Sequence, residues 1–374
     1  MALSIFIAGD VVPNDRTISL FNELNSEYLF NDLIPIIKSC DVSIANLEAP
    51  IVDSHPTPIK KSGPNLYTNK ETILTLKKSG FKVLTLANNH FRDQGDNGVW
   101  TTIKTCRDCD VKYVGGGENK VAARRILYLE IKNKVISIIN ACEHEFSIAS
   151  DSCAGSNPID CIAMYEDIRI AKLNSDFVIV ILHGGIEHYQ YPTPRMKKLF
   201  HHFVDLGAQA VVNHHQHCFS GYEFYNGAPI FYGLGNFCFD SINKRNEQWN
   251  KGFGVILDIA DEIKVKIVPY IQCSNNPKIQ LCSVDDFLKE VDYLNKVILD
   301  DSLLEQQYCE YILNNRMNVF LKMLPLNNRF FSALFRRGFL GRIFSNTTLL
   351  RFEDLFMCES HRDIILHLLS MEKK

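Results

Sequence analysis

Six apolar runs, each closed by polar side chains able to bind a cation, constrain this chain more than any other feature. In order, Ile5-Phe6-Ile7-Ala8 leads to Gly9-Asp10, and Val42-Ser43-Ile44-Ala45 leads to Asn46-Leu47-Glu48. Lys82 to Ala87 leads to Asn88-Asn89-His90, and Phe177 to Leu182 leads to His183-Gly184-Gly185. Ala208 to Val212 leads to Asn213-His214-His215-Gln216-His217, and Pro229 to Tyr232 leads to Gly233-Leu234-Gly235-Asn236. Each run has strand length and is rich in Val, Ile and Phe. In α/β sheets, ligands bind outside the carboxyl ends of the strands. Six strand ends that all carry Asp, Glu, Asn or His therefore predict one site assembled from dispersed sequence.

The histidine cluster is the most specific of the six. Three imidazoles within four residues, at the mouth of an apolar strand, are hard to explain as packing. His215 and His217 are two apart, so an irregular loop can turn both toward one ion, and neutral imidazole is the commonest metal ligand. Plainer readings stand beside this one. Asp10 and Glu48 could be helix caps or salt-bridge partners, Asn89 and Asn236 turn formers, His90 a satisfied polar residue, and His183 a strand cap. His144, His188, His201 and His202 read as surface or supporting residues rather than ligands. Lys60, Lys61, Tyr67, Arg92 and Arg195 are candidate anion-binding side chains.

With 374 residues, 46% of them hydrophobic, the chain can bury a large core, and a net charge of −3 gives no general pull toward nucleic acid. No basic segment followed by a long apolar one precedes Ile5, so no signal peptide is expected. No run approaches the roughly 20 apolar residues of a transmembrane helix. The 12 cysteines are scattered, which fits reduced thiols and a cytoplasmic location. Cys106 and Cys109 form a lone CxxC in a helical stretch, with no second pair to complete a structural zinc site.

Strands alternate with helix-like segments over the first 140 or so residues and become hairpins later. Leu127 to Ile131 and Val135 to Ile139 form one expected hairpin, and 143–162 an irregular loop near the site. This order predicts an α/β fold: a four-layer α/β/β/α sandwich of two mixed sheets with a helical C-terminal extension. The expected division is 1–274 for the sandwich and 275–374 for the extension, with a break at Ser274-Asn275-Asn276-Pro277. Within the extension, Arg329 to Phe344 is basic and aromatic. It reads either as a core helix or as a surface for a membrane face or a synthase partner.

Taken together, Gly9-Asp10, Asn46-Leu47-Glu48-Ala49-Pro50, Leu86-Ala87-Asn88-Asn89-His90, Leu182-His183-Gly184-Gly185-Ile186-Glu187, Asn213-His214-His215-Gln216-His217 and Tyr232-Gly233-Leu234-Gly235-Asn236-Phe237 resemble the CapA family. These are poly-γ-glutamate capsule biosynthesis proteins, a branch of the calcineurin-like metallophosphoesterase superfamily. The resemblance spans about residues 3 to 260. It implies a centre of two divalent ions (manganese, iron or zinc) held by Asp10, Glu48, Asn89, His183, His215 and His217. His214, Asn46 and Asn236 are further candidates, with His214 an alternative to His215. His90 takes the place of the superfamily's catalytic histidine, and Lys61, Tyr67 and Arg92 are substrate-binding candidates. Asp10 is followed by Val11-Val12 where the superfamily has Asp-x-His, and Glu48 stands where it has aspartate. Those departures imply one tightly and one weakly held ion. The implied activity is a metal-dependent hydrolase, most simply a phosphoesterase, on a small-molecule or polymer precursor in capsule synthesis. The alternatives are an amide-bond enzyme on a γ-glutamyl-type polymer and a non-catalytic accessory subunit of a synthase.

Overall fold

A strand whose successive side chains are all apolar must be covered on both faces, because neighbouring side chains point to opposite sides. The computed structural model, which describes residues 3–53, 55–244, 247–260, 262–323 and 346–371, meets that requirement by stacking two sheets between helices. In chain order the strands are β1 (Leu3–Val12), β2 (Val42–Leu47), β3 (Val83–Thr85), β4 (Lys112–Val114), β5 (Gly116–Gly117), β6 (Leu127–Ile131), β7 (Lys134–Cys142), β8 (Gly155–Ser156), β9 (Phe177–His183), β10 (Ala210–His214), β11 (Tyr222–Tyr225), β12 (Ala228–Phe231), β13 (Asn236–Phe239), β14 (Lys251–Ile259), β15 (Ile263–Gln272) and β16 (Ile279–Leu281). The first sheet runs β16-β15-β14-β1-β2-β3-β4, with β13 paired to the end of β1. The second runs β11-β12-β10-β9-β7-β6. β1 to β4 are parallel to one another, as are β7, β9, β10 and β12.

Period-2 alternation sorts the core into layers. Ile5 and Ile7 of β1 meet Ile179 and Ile181 of β9 and Val212 of β10 between the sheets. Phe6 and Ala8 point the other way, into Phe21, Ile37, Ile73 and Leu76 of the helices on the outer face of the first sheet. Val178, Val180 and Leu182 do the same for the second sheet, against Met164, Ile168, Phe200 and Phe203. Each such side chain contributes about 1.5–3 kcal/mol by leaving water. The result is the expected α/β/β/α layering.

Local signals set the helix ends. The helix Cys161–Asn174 is capped by Asp160, whose carboxylate accepts from the amides of Ile162 and Ala163. Thr193 caps Pro194–Leu206, proline occupies its first turn, and Gly207 closes it. Lys70–Ser79 stops at Gly80 in the left-handed region, φ 108°. Residues 26–39 form two short helices, Ser26–Phe30 and Ile34–Ser39, joined by a 3-10 turn at Asn31–Leu33. The loop expected over 143–162 contains β8, which pairs with β5.

Residues past 274 continue the sandwich before they leave it. β16 pairs with β15, and the helix Val284–Leu299 sends Phe287, Val291 and Leu294 into the core between the sheets. Helices Asp301–Met323, Asn346–Met357 and Glu359–Met371 follow. The basic, aromatic stretch 329–344 lies outside the described residues. Among the described residues, no helix is long and apolar enough to cross a membrane. Cys106 and Cys109 are buried in the helix-side core, so packing accounts for both.

Two glycines bring β1 against the loop before β13. A Cβ on Gly9 would lie 1.9 Å from the carbonyl oxygen of Gly235, which itself has φ 76°. Because backbone, not a flexible side chain, blocks that space, Gly9→Ala should destabilise the protein by about 3 kcal/mol. A urea midpoint equal to that of the parent protein would refute this close approach.

Candidate metal centre

Register brings the polar strand ends together. Asp10 is opposite Asn46 of β2 and Asn236 of β13, and β1 bulges between Ile7 and Asp10 on its β2 side. Such a bulge re-aims the side chain that follows it. In the second sheet His183 is opposite His214. The carboxyl ends of β1, β2, β9 and β10 therefore meet where the two sheets face each other.

Two donor groups form there and share Glu48. Glu48, His183 and His215 offer atoms within 4.8 Å of one another, and so do Asp10, Glu48 and His217. His183 Nε2 lies 3.5 Å from Glu48 Oε1, 3.0 Å from Asn89 Oδ1 and 3.1 Å from His215 Nδ1. His217 lies 3.8 Å from Asp10 Oδ2 through Nδ1 and 3.9 Å from Glu48 Oε1 through Nε2. Donor atoms bound to one ion at about 2.1 Å sit roughly 3 to 4 Å apart, which matches these spacings. Asn46 Nδ2 donates to Asp10 Oδ1 at 2.7 Å and lies 3.3 Å from His183 Nδ1. Asn236 Oδ1 lies 2.9 Å from His217 Nδ1, and Asn236 Nδ2 donates to the carbonyls of His217 and Trp249. Asn46 and Asn236 thus orient the carboxylate and the imidazole beside them.

The histidine loop is held in unusual backbone. His215 has φ 93° and His217 φ 54°, left-handed values that cost a side chain about 1–3 kcal/mol each and cluster at functional sites. These kinks turn both rings into the donor groups. His214 is still part of β10, and its ring nitrogens face carbonyl oxygens instead: Ala8 at 3.0 Å and Leu182 at 3.3 Å. It ties β1 to β9 and stays out of both donor groups.

Whether these residues suit cations can be tested on Glu48. Both its carboxylate oxygens are buried, and neither accepts a hydrogen bond. A buried carboxylate without a donor or a cation is costly. Burial first, then Asp10 and Glu187, raises its pKa well above the usual carboxylate range. Burial and then the neighbouring His215 lower His183 well below an ordinary imidazole. Burial pushes His217 down to about 4, so its ring is neutral and available as a ligand. The Glu48 oxygens, without donors and beside the His183 and His217 rings, belong to a donor set completed by positive charge. These buried Asp, Glu and His clusters could hold metal ions.

His90 sits at the edge of this centre. Its Nδ1 is 2.6 Å from Asp93 Oδ2 and 3.1 Å from Lys61 Nζ, and Lys61 also pairs with Asp93. Burial, then Lys61, lowers the His90 pKa. Lys61 and His90 line the cleft that opens on the centre. Tyr67 and Arg92, the other substrate-binding candidates, do not line it. Tyr67 lies in a separate groove with Val12, Asn14 and Leu66. Arg92 is taken up by Asp96, at 2.8 Å, in the first turn of the helix that follows it.

Sequence reasoning overlooked three carboxylates. Asp93 follows His90 by three residues, a spacing that would have suggested an orienting partner. Glu145 Oε1 lies 3.9 Å from His215 Nε2, and burial pushes its carboxyl up to about 8 against the opposing pull of His361. Glu143 accepts from the amide of Gly185 at 2.9 Å, in the loop that follows His183. Glu143 and Glu145 lie in what reads from sequence as an irregular loop, where no periodicity points to them.

Residues 4–241, more than half of the chain, match the family described as bacterial capsule synthesis protein PGA_cap. The chain is similar to the capsule biosynthesis protein CapA of Bacillus anthracis, with 31% identity over 64% of this chain and 60% of that protein. It is also similar to the PGA biosynthesis protein CapA of Bacillus subtilis, with 30% identity over 64% of this chain and 63% of that one. Each match thus spans less than two thirds of the relative's own length. Among solved structures, a hypothetical protein from Thermus thermophilus is similar with TM-score 0.45 and 15% identity, covering 71% of this chain and 99% of that one. On the strength of the match over residues 4–241, the chain belongs to the bacterial capsule synthesis protein PGA_cap family.

Proposed function

We propose that this protein is a metal-dependent phosphoesterase acting on a precursor in capsule or surface-polymer synthesis. The observation that carries the reading is Glu48: a buried carboxylate with no hydrogen-bond donor, shared by two groups of imidazole and carboxylate donors. Glu48, Asn89, His183 and His215 would hold one ion, and Asp10, Glu48 and His217 the other. Two divalent cations (manganese, iron or zinc, given the N/O donor set) would neutralise phosphoryl charge and lower the pKa of a water toward 7.

The chain's own groups supply the rest. Asn46 and Asn236 fix the rotamers of Asp10 and His217 through the contacts described above. Asp93 accepts a hydrogen bond from His90 Nδ1–H, which leaves Nε2 as the nitrogen that exchanges a proton with the leaving oxygen. Lys61 keeps Asp93 paired, so the carboxylate orients His90 without carrying uncompensated charge.

The test is elemental analysis of the purified protein, followed by turnover of an aryl phosphodiester and an aryl phosphomonoester with manganese added. Up to about two ions per chain, with turnover lost in His217→Ala, is the expected result. Metal without phosphoester turnover would overturn the phosphoesterase and favour amide chemistry on a γ-glutamyl-type polymer. No bound metal would favour the accessory-subunit reading.

A further inference from the structure

The cleft above the two donor groups, about 610 Å³, has two walls of different origin. One wall comes from strand-end loops and includes Lys61, His90, Glu145 and Glu187. The other comes from C-terminal helices and includes Tyr311, Asp354, Leu355, His361 and Ile364. The second wall lies beyond residues 4–241, where the family match ends.

That wall is firmly docked. Glu143 Oε1 accepts from Arg195 Nη2 at 2.5 Å and from Ser360 Oγ at 2.9 Å, while its Oε2 accepts from the Gly185 amide. Arg195 also pairs with Asp363. Glu359 holds the amide of His144 at 2.9 Å and its ring Nδ1 at 2.6 Å. Around these charges Ile186 and Tyr189 pack on Tyr308, Ile312, Ile364 and Leu368. One carboxylate, Glu143, therefore touches both the loop after His183 and the helix Glu359–Met371.

Most cationic groups that face the cleft are engaged with its own wall. Lys61 and His90 are both bound to Asp93, and His215 faces His183. The His188 ring packs 5.8 Å from that of Trp249. His361 differs. Its side chain is 28% exposed, and its Nδ1 is buried, 3.5 Å from Asp354 Oδ2, with no hydrogen bond. With Nδ1 buried, Nε2 is the ring nitrogen left to meet the cleft that His361 lines. From Nε2 the ring can donate to an acceptor in the cleft, on the side away from Asp354.

Resting on the phosphoesterase reading, we propose that His361 is a substrate-binding residue, gripping a phosphoryl oxygen from the wall opposite His90. Asp354 is its positioning residue. The C-terminal helices then help to select which phosphoesters this chain accepts, through a contact that the matched family residues do not contain.

Inorganic phosphate is the probe. Full-length wild type, His361→Ala and His361→Gln are loaded with manganese, their metal content is measured, and phosphate binding is followed by titration calorimetry. KM and kcat are measured on an aryl phosphodiester alongside. A charge-assisted hydrogen bond corresponds to about a tenfold change in affinity or more, so phosphate Kd and KM should rise about tenfold with metal content unchanged and kcat much less affected. Asp354→Asn should raise KM less, because the imidazole remains. His361 variants with wild-type metal content and phosphate affinity within about twofold of wild type would overturn the assignment. Should His361→Ala not fold, His361→Gln, which keeps size and polarity, carries the same comparison. Wild-type protein that takes up no metal overturns the phosphoesterase reading, and this assignment with it.

Discussion

Glu48→Gln should deplete the centre of metal and leave the metal-free protein at least as stable as its parent. In the parent, two buried oxygens without donors lie near the Asp10 carboxylate, and burial, then Asp10, raises the Glu48 pKa well above the usual carboxylate range. Glutamine keeps the shape and removes the like-charge conflict. A buried charge without a partner is costly, so a neutral group of the same shape should not destabilise the metal-free fold. Manganese should tell the two proteins apart. It stabilises the parent by about 2.7 kcal/mol at a hundred times its dissociation constant and should do far less for the variant. Turnover should fall at least a hundredfold, since even groups that only orient a ligand cost about 10–100-fold. Denaturant midpoints with and without chelator, read beside metal content, decide the matter. A variant that retains its metal and its activity would remove Glu48 from the centre.

His90→Ala should do the reverse: keep the metal and lose the reaction. His90 lies outside both donor groups but lines the cleft, with its Nδ1 held by Asp93. A positioned proton donor contributes about 10²–10⁴ in rate, so kcat should drop by that factor. Asp93→Asn should cost less, since the ring remains but its orienting carboxylate is gone. Undiminished kcat in a metal-loaded His90→Ala protein would assign the residue a structural role.

Much of the centre was legible because strand alternation is a local property. Ile5 to Ala8 and Phe177 to Leu182 read as strands from their residue types alone, and the carboxyl-end rule points to Asp10 and His183 without any knowledge of their neighbours. Three features were not legible. Whether His214 or His215 turns inward depends on where β10 ends, and β10 runs through His214 before the left-handed turn at His215. Arg92 and Tyr67 have the right chemistry for anions, yet Arg92 is taken up by Asp96 and Tyr67 lies in another groove. Glu143 and Glu145 sit in a segment whose pattern carries no period.

The sequence by itself determined the layering, the parallel strand ends and the kinds of donor placed on them. All follow from side chains that alternate every two residues and from the Gly, Asn and Asp residues that close each run. Only the tertiary structure decided which donors share an ion-sized space and what covers them. His215 meets Asp10 across 205 residues of chain, and Glu359 meets His144 across 215. Contacts at that separation follow from sheet stacking and helix docking. Those depend on the summed packing of the whole core, and no local pattern encodes them.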